Sequence, residues 1–588
     1  MLHYFSSDLY DINILPVSIN DNRFNPLPYY TYNMRTDVDI AQEAELESMD
    51  SIAAKLGLGP DDIELWGANK AKLTIEAVRN YRDKKGGKLI LVTAMTPTRS
   101  GEGKTTVTIG LAQALSKLGK KATLGIREPS IGPTMGIKGG AAGGGYSQVL
   151  PMEDINLHFT GDMHAIGIAH NLLSALINNH LHRGNKLDLD SRRILWPRVL
   201  DMNDRALRNT VVGLGGKSHG MPNENSFGIT ASSEVMAILC LSNGLTELKE
   251  KISQILIGYT YDDSPVYSHD IGGIGAMGAL LKHAIKPNLV QTIEGVPAFV
   301  HGGPFANIAH GTSSLVSTKV GLALSDYFVT EAGFGSDLGA EKFFNIVCRQ
   351  GGLEPDAVVM VVTVRALKRQ GGVSNKNLKE KNVPAMKRGL DNLSKHLENI
   401  QMFGLPTVVA INRFPSDSDE EIEYLVKLCD SIEVPSAVVD VHKKGGQGGI
   451  ELAENVVKQC SGQSRFSPLY PLKEEPKEKI HDIATKIYGA KNVVYTPQAE
   501  KDLRLIDKIG LKELPVCMVK THYSLSDDRK LLGRPVGFKI KIHEVRVSAG
   551  AGFIIPMAGD ITTMPGLPKR PAALDIDVGE DGRITGLF

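Results

Sequence analysis

The chain has 588 residues, enough for about two to four domains of ordinary size. Its 66 basic and 66 acidic side chains balance, which argues against nucleic acid or an anionic membrane as a general partner. No apolar run reaches the roughly 18 residues of a membrane helix, so we expect no membrane association. Five widely spaced cysteines have neither metal nor redox spacing, and we expect them to be buried, reduced thiols.

Residues 1–33 differ in composition from the rest of the chain. They are rich in Asn, Tyr and Ser, and three aspartates precede the first basic residue, Arg23. A secretory signal would begin basic and contain an apolar core, and a mitochondrial presequence would be rich in Arg and poor in acids. We therefore predict a loosely ordered extension at 1–33 and a cytoplasmic protein, with an organelle as the alternative location.

The first strong pattern surrounds the glycine-containing loop 96–106, which follows a predicted helical segment at 39–85. The apolar, β-branched run 89–95 predicts a buried strand, the spacing in 105–118 predicts a helix, and 122–126 predicts a second strand. In this order of elements, unpaired N–H groups at the helix start face a ligand. The loop is therefore predicted to bind phosphate, in which case Lys104 reaches the outer phosphates and Thr105 holds Mg²⁺.

The predicted ATP-binding residues of this loop are Thr96, Gly101, Glu102, Gly103, Lys104, Thr105 and Thr106. The two glycines allow the backbone to approach an oxyanion closely. The strict phosphate-loop pattern has a further glycine upstream, where this chain has Thr98 and Arg99. The alternative is an ordinary strand–helix turn with a solvated lysine.

Downstream segments supply further candidates. Arg127 follows the strand 122–126 at its carboxyl end, where ligands bind in open sheets, and its planar fork suits a phosphate or carboxylate. The glycine-rich run 136–146 predicts a close approach to a ligand or to another backbone. Asp162, just before a predicted helix at 165–181, is a candidate for proton transfer or for the Mg²⁺ shell. Region 284–345 alternates apolar strands with glycine-rich loops.

A second α/β unit follows. Apolar runs at 357–364, 407–411 and 437–441 predict buried strands, and helices are predicted at 375–402 and 419–430. This arrangement places Phe414 and His442 at the ends of successive strands. Flat rings in that place would form a platform for a flat ligand, and core aromatics are the alternative. The tail 471–588 is predicted to contain a helix, a strand at 516–520 and a hairpin near 545–553, with no chemistry that its sequence names.

Several segments carry a resemblance to one family. They are 96–106, Arg127-Glu128-Pro129-Ser130, 136–146, Thr160-Gly161-Asp162, 301–311, 330–344, Val364-Arg365-Ala366-Leu367-Lys368, 412–415 and 562–571. The chain resembles formate–tetrahydrofolate ligase (10-formyltetrahydrofolate synthetase) from about residue 34 to 588. The resemblance implies ATP, Mg²⁺ and a monovalent cation (K⁺ or NH₄⁺), formate and tetrahydrofolate with or without a polyglutamate tail, and a homotetramer or homodimer.

The resemblance also implies a fold, a reaction and residue roles. It implies a P-loop NTPase-like large domain with a mainly parallel sheet at 34–365, a second α/β domain contributing to the folate site at 366–470, and a smaller α+β domain at 471–588. ATP would phosphorylate formate, and N10 of tetrahydrofolate would attack the formyl phosphate. The implied catalytic residues are Lys104, Arg127 and Asp162. The implied folate-binding residues are Phe414, Pro415, His442, Phe334 and Gly335.

The chain departs from the family pattern at several places, among them Thr312-Ser313 and Gln370. The family usually has Trp at the position of His442, so we expect weaker folate affinity because imidazole offers less stacking area. The segment 223–230 also differs, at Asn223 and Gly228. An active, drifted ligase is the main hypothesis. The rivals are an ATP- and folate-binding paralogue with weak or no turnover, and a P-loop ATPase of the partition or chelatase kind.

Overall fold

A computed structural model describes residues 35–84, 86–137, 141–559 and 562–587. The predicted extension at 1–33, and Lys138, Gly139 and Gly140 of the glycine-rich run, lie outside the described residues. From Thr36 onward the chain forms one compact unit.

A 12-stranded sheet is the centre of this unit. Seven neighbouring strands run parallel, in the spatial order Pro297–Val300, Ala122–Ile126, Tyr327–Glu331, Lys88–Ala94, Ala357–Val362, Thr407–Asn412 and Ser436–Val439. The antiparallel strands at one side are Asn288–Thr292, Ala71–Leu73, Ile63–Leu65, Ser147–Leu150 and Gly143–Gly144. The predicted α/β fold with a mainly parallel sheet is therefore confirmed.

The sheet is covered on both faces, which explains why its strands are continuous apolar runs. Every residue of Ala357–Val362 is buried. Along Lys88–Ala94 the side chains alternate between two cores: Leu89 and Leu91 belong to one, Ile90 and Val92 to the other. The sheet therefore separates two hydrophobic layers, and its strand ends are the places left for polar chemistry.

Helices and smaller sheets complete the unit. The α-helices are Asp37–Gln42, Met49–Leu56, Ile75–Tyr81, Lys104–Lys117, Ile131–Gly136, Met152–Asn156, Asp162–His182, Glu234–Cys240, Leu245–Ser253, Ser268–Ile271, Ile274–Leu280, Leu315–Leu324, Arg349–Gly351, Val364–Gln370, Val383–Met402, Asp419–Ser431, Val441–Lys444, Ile450–Gln459, Pro476–Asp482 and Pro497–Lys508. The smaller sheets are formed by Leu189–Ile194, Leu256–Thr260 and Pro265–Tyr267; Arg198–Val199 and Phe227–Gly228; Thr210–Val212 and Asn223–Asn225; Asn492–Tyr495 and Lys539–Ile542; Glu544–Ser548 and Phe553–Met557; and Asp577–Val578 and Ile584–Thr585.

The prediction of helices at 40–49, 51–56 and 69–84 was wrong in part, because Ala71–Leu73 is a strand. A hairpin of Ile63–Leu65 and Ala71–Leu73 lies between the helices, and its second strand joins the main sheet. The turn contains Gly67 at a φ of 89°, a conformation that favours glycine. Three-residue strands are too short to show period-two alternation, which is why the sequence predicts a helix, and not a strand, at Ala71–Leu73.

Other predictions can be compared directly with the structure. Strands lie on both sides of residue 365 in the same sheet, and the domain boundaries at 34, 365 and 470 stay predictions. The five cysteines are buried and form no disulfide, as expected. Among the described residues, no helix is both long enough and apolar enough to span a bilayer.

Candidate active site

The predicted phosphate loop lies between the strand Lys88–Ala94 and the helix Lys104–Lys117, in the order that the sequence predicts. Gly101 and Gly103 have φ values of 75° and 73°, in the left-handed region. Gly103 is the residue before the helix, and a Cβ there would overlap the side-chain amide of Asn412. Glycine is therefore required at this position both by conformation and by space.

Two side chains fix the peptides of the loop. Arg365 donates a hydrogen bond to the carbonyl oxygen of Gly101, and Asn412 Nδ2 donates to that of Glu102 at 3.0 Å. In a planar trans peptide the N–H points away from its carbonyl, so the N–H groups of Glu102 and Gly103 point to the opposite side. The loop thus directs two neighbouring N–H groups in the manner of an anion site.

Glu102 and Thr96 support the loop through their side chains. The Glu102 carboxylate is buried and accepts hydrogen bonds from the backbone N–H of Thr98 at 2.5 Å and from Thr363 Oγ1. Thr96 Oγ1 lies 2.9 Å from His396 Nε2. Burial lowers the pKa of His396 to about 4, so this imidazole is neutral near pH 7. Because both side chains already bond to other protein groups, Thr96 and Glu102 offer a ligand their backbone groups.

Thr105 and Glu331 bring a hydroxyl oxygen and a carboxylate oxygen together, and Mg²⁺ binds oxygen ligands. Thr105 Oγ1 donates a hydrogen bond to Glu331 Oε2 at 2.9 Å, and Glu331 is the last residue of the neighbouring strand Tyr327–Glu331. A hydroxyl and one buried carboxylate fit Mg²⁺, which keeps several waters and binds substrate phosphates. Among the described residues, no cluster of three His, Cys, Asp or Glu side chains forms a metal cage.

Arg127 follows the strand Ala122–Ile126, two strands from the loop. Its Nη1 donates to the carbonyl oxygen of Pro304 at 3.1 Å, and its Nη2 lies 3.9 Å from Glu331 Oε1. Nε is buried and makes no hydrogen bond to any residue that the structure describes. The side chain keeps 24% of its surface exposed, so the guanidinium is held in place with donors left for a ligand.

Asp162 lies in a buried ion pair at the first residue of the helix Asp162–His182. Its two oxygens lie 2.8 and 2.9 Å from Lys72 Nζ, and Asn288 Nδ2 donates to it at 2.8 Å. Burial, followed by the charge of Asp162, raises the pKa of Glu128 well above its usual range. Burial therefore favours the neutral form of Glu128, the residue that follows Arg127.

Replacing Asp162 by asparagine is expected to lower the free energy of unfolding by about 3–5 kcal/mol, because it leaves Lys72 buried without a counter-charge. Urea unfolding followed by circular dichroism measures the change. Asp154→Asn is the control, since its pair with Lys70 is partly exposed and should contribute only about 0–1 kcal/mol. Equal losses in the two variants would contradict the assignment of Asp162 to a buried structural pair.

The two platform candidates follow paired strands, as predicted. Asn412 and Val439 are register partners, and Phe414 and His442 lie two and three residues beyond them. The Phe414 ring is half-buried, and the guanidinium carbon of Arg365 lies 3.8 Å from its centroid. Pro415 is exposed. The strand ends thus present one supported ring next to the phosphate loop.

His442 contacts the helix Asp37–Gln42. Its Nε2 lies 3.3 Å from Asp37 Oδ1, and that oxygen also accepts the backbone N–H of Gly145 at 2.8 Å. The hydrogen bond to Asp37 outweighs burial and raises the pKa of His442. Burial alone would raise the pKa of Asp37, but the hydrogen bonds from His442 and Gly145 lower it. The imidazole keeps 62% of its side-chain surface exposed.

This pair gives stability a defined pH dependence. The raised His442 pKa contributes stability below the unfolded value of about 6.5, and that contribution is lost as the pH rises through the folded pKa. Asp37 must stay ionised, so the contribution is also lost in acid. We expect His442→Gln to lower the melting temperature more at about pH 5.5 than at about pH 8.5, where the imidazole is neutral. A constant difference across this range, measured by calorimetry, would contradict the pairing.

The described part of the glycine-rich run approaches another backbone. The N–H of Tyr146 donates to the carbonyl oxygen of His442 at 2.8 Å, and Ser147 Oγ donates to that of Val441 at 2.8 Å. Gly145 has a φ of 56°, and a Cβ there would overlap the carbonyl oxygen of His442. For 141–146, the glycines therefore serve packing of one loop on another, one of the two predicted reasons.

Phe334 and Gly335 follow the strand that ends at Glu331. Phe334 has a φ of 61°, unusual for a bulky residue, and its ring stacks on His522 with centroids 4.2 Å apart and planes 15° apart. A Cβ on Gly335 would lie 2.7 Å from Asp337 Oδ1, so a side chain does not fit there. The sequence interpretation missed His522. Its only local signal is its place just after the predicted strand 516–520.

The departures near Asn223 and Gly228 lie in small two-stranded sheets. Asn223 pairs with Val212, and Gly228 pairs with Val199. The N–H of Ile229 donates to the carbonyl oxygen of Thr563 at 2.9 Å. Gly228 therefore lies where the segment packs on the C-terminal loop, whereas Asn223 lies in the pair with Thr210–Val212.

The loop 96–106, Arg127, Phe334, Phe414 and His442 follow the carboxyl ends of parallel strands of one sheet, whereas Asp162 lies at a helix start. A family model described as formate–tetrahydrofolate ligase matches residues 35–588, nearly the whole chain. A match of that extent covers the loop 96–106, the following strand ends and the tail. The chain therefore belongs to the formate–tetrahydrofolate ligase family, a family of enzymes.

Proposed function

We propose that this chain joins formate to tetrahydrofolate at the expense of ATP, giving 10-formyltetrahydrofolate, ADP and phosphate through formyl phosphate, and that it serves one-carbon metabolism. The observation that carries the proposal is a row of groups at the carboxyl ends of the parallel strands. In the spatial order of the strands they are Arg127, Glu331 with Thr105, the loop with Lys104 and, beyond the intervening strand Ala357–Val362, Phe414. This row offers an anion fork, a metal ligand set, a phosphate cradle and an aromatic platform in that order. A P-loop NTPase-like large domain is part of the same proposal.

The first step would be transfer of the γ-phosphoryl group. A formate oxygen attacks the γ-phosphorus, the bond to the bridging oxygen of ADP breaks, and formyl phosphate forms. The N–H groups of Glu102 and Gly103 and the ammonium of Lys104 would hold the phosphate oxygens. Mg²⁺, held by Thr105 and Glu331, would neutralise negative charge on these oxygens. Arg127 would hold formate and then formyl phosphate, because each of these ligands would present charged oxygens to its N–H donors.

The second step would be attack of N10 on the formyl carbon, with phosphate as the leaving group. The ring of Phe414 would hold the pterin together with Pro415, the next residue in the chain, and His442, which follows the neighbouring strand. Phe334 and Gly335, which follow the strand ending at Glu331, would complete the folate site. Asp162 stays our candidate for relaying the N10 proton. Lys72 and Asn288 hold its carboxylate in a fixed position.

Several accompanying features belong to the proposal. They are a monovalent cation (K⁺ or NH₄⁺), a homotetramer or homodimer, a cytoplasmic location and no nucleic-acid partner. The neutral balance of 66 basic and 66 acidic side chains supports the last of these.

The test is a substrate-omission assay. Purified protein is mixed with MgATP, formate, tetrahydrofolate and K⁺, and the product is converted by acid to 5,10-methenyltetrahydrofolate, which is followed by its near-ultraviolet absorbance. Product that requires all three substrates supports the proposal. ATP binding without product would overturn it in favour of a nucleotide-binding paralogue. ADP release that needs neither formate nor folate would indicate an ATPase.

Replacing His442 by tryptophan is expected to lower the Michaelis constant for tetrahydrofolate, because a larger ring adds stacking area worth about 0.5–1.5 kcal/mol. The same assay, with tetrahydrofolate varied at saturating ATP and formate, measures the constant. Lys443→Trp is the control, since it adds an indole one residue away. An unchanged or raised constant in His442→Trp would remove His442 from the folate site.

A further inference from the structure

One side chain, Arg365, touches both halves of the proposed site. Its guanidinium donates to the carbonyl oxygen of Gly101, its Nε lies 3.5 Å from Glu102 Oε2, and its central carbon lies 3.8 Å from the Phe414 ring centroid. The side chain is 21% exposed, so these contacts are largely screened from water. Arg365 therefore joins the phosphate loop to the aromatic platform.

The topology explains why this position can join them. Arg365 is the second residue of the helix Val364–Gln370, directly after the strand Ala357–Val362. That strand lies in the sheet between Lys88–Ala94, which leads into the loop, and Thr407–Asn412, which leads to Phe414. A long side chain at the intervening strand end reaches both neighbours.

The guanidinium uses different parts of its surface for the two contacts. Its edge donates one hydrogen bond to the loop, and its flat face stacks on the ring. The edge contact fixes the Gly101 carbonyl, and hence the direction of the Glu102 N–H. A movement of the loop would therefore shift the guanidinium and change the support of the ring.

We infer that Arg365 is a positioning residue that couples the nucleotide site to the folate site, so that each ligand tightens the binding of the other. The inference rests on the proposed function, because it takes the loop as the ATP site and Phe414 as part of the pterin site. Ordering of the loop by ATP holds the guanidinium against one face of the ring, and the pterin binds on the opposite face. By linkage, tetrahydrofolate must raise ATP affinity by the same factor.

The test measures the affinity for MgATP by calorimetry, with and without tetrahydrofolate and in the absence of formate. In the wild-type protein we expect tetrahydrofolate to tighten ATP binding by about 5- to 150-fold. Arg365→Ala should bring that ratio close to one. Arg365→Lys should give an intermediate ratio, since it keeps the charge but loses the planar face and edge.

Arg369→Ala is the matched control. Arg369 lies on the same helix and donates to the carbonyl oxygen of Val373 at 3.1 Å, away from the loop. It should keep the wild-type ratio. A merely structural Arg365 would weaken ATP binding equally with and without folate, and that unchanged ratio would overturn the inference.

The outcomes separate the inference from the proposed function. Binding of both ligands to the wild-type protein with a ratio of one overturns the coupling alone and leaves the ligase proposal standing. No ATP binding at all overturns both. If Arg365→Ala fails to fold, Arg365→Lys decides, because a wild-type ratio in that variant shows that the planar guanidinium is not needed.

Discussion

Replacing Lys104 by alanine is expected to lower turnover about 100- to 1,000-fold, the loss typical of removing one group that stabilises transition-state charge. Lys104 is the first residue of the helix Lys104–Lys117, where the loop ends and the helix N–H groups begin. Its ammonium would neutralise charge on the phosphoryl group as the bond to ADP breaks. Because that charge develops in the transition state, the substitution should lower mainly kcat.

The fold should survive this substitution. Alanine is the best helix former, and Lys104 lies at the helix start and not in either hydrophobic core. Lys117→Ala is the matched control, since Lys117 ends the same helix and its partly exposed ammonium pairs with Glu294 at 3.1 Å. Turnover and thermal melting of both variants are compared with the wild type. Full turnover in Lys104→Ala would remove the loop from the phosphate site.

The central sheet was predictable because burial on both faces imposes a simple composition. Runs such as Ala357–Val362 consist of apolar residues and end abruptly, so both the strand and its carboxyl end can be read locally. The carboxyl ends then place Arg127, Phe414 and His442 by sequence position alone. That reasoning needs only that the strands are parallel and adjacent.

The contacts within the site were not predictable in the same way. Arg365 stacks on Phe414, His522 stacks on Phe334, and Asp37 pairs with His442, and each contact joins segments that are far apart in the chain. Local patterns report which face of an element is apolar, but they do not report which distant loop meets a given side chain. The strands Ile63–Leu65 and Ala71–Leu73 were not predicted for a local reason: each contains too few residues to establish a period.

The structure changes how well a catalytic role of Asp162 is supported. An acidic residue before a helix, next to a phosphate site, suggests proton transfer or metal binding from the sequence. The structure adds Lys72 and Asn288, each from a strand of the main sheet, as its hydrogen-bond partners. Loss of activity on mutation would therefore be ambiguous, which is why the stability of Asp162→Asn has to be measured beside its turnover.

Replacing Arg127 by alanine is the second substitution expected to have a large effect, again about 100- to 1,000-fold on turnover. Formate and formyl phosphate both present charged oxygens, and Arg127 is placed on the strand end two strands from the loop. Its Nη1 donates to the carbonyl oxygen of Pro304, whereas Nε has no acceptor within the described part of the chain. A donor that is buried without a partner is costly unless a ligand satisfies it, so the side chain is better explained by a bound anion than by packing.

Arg127→Lys sharpens this prediction, because it keeps the positive charge and loses the planar fork. If the fork positions formate for attack, turnover of Arg127→Lys should stay close to that of Arg127→Ala, with the loss in both kcat and the formate Michaelis constant. If charge alone matters, Arg127→Lys should recover most of the activity. Arg192→Ala, a surface arginine that pairs with Asp190, should behave as wild type. Full turnover in Arg127→Ala would exclude this residue from the formyl phosphate site and leave Lys104 and the loop as the principal cationic groups.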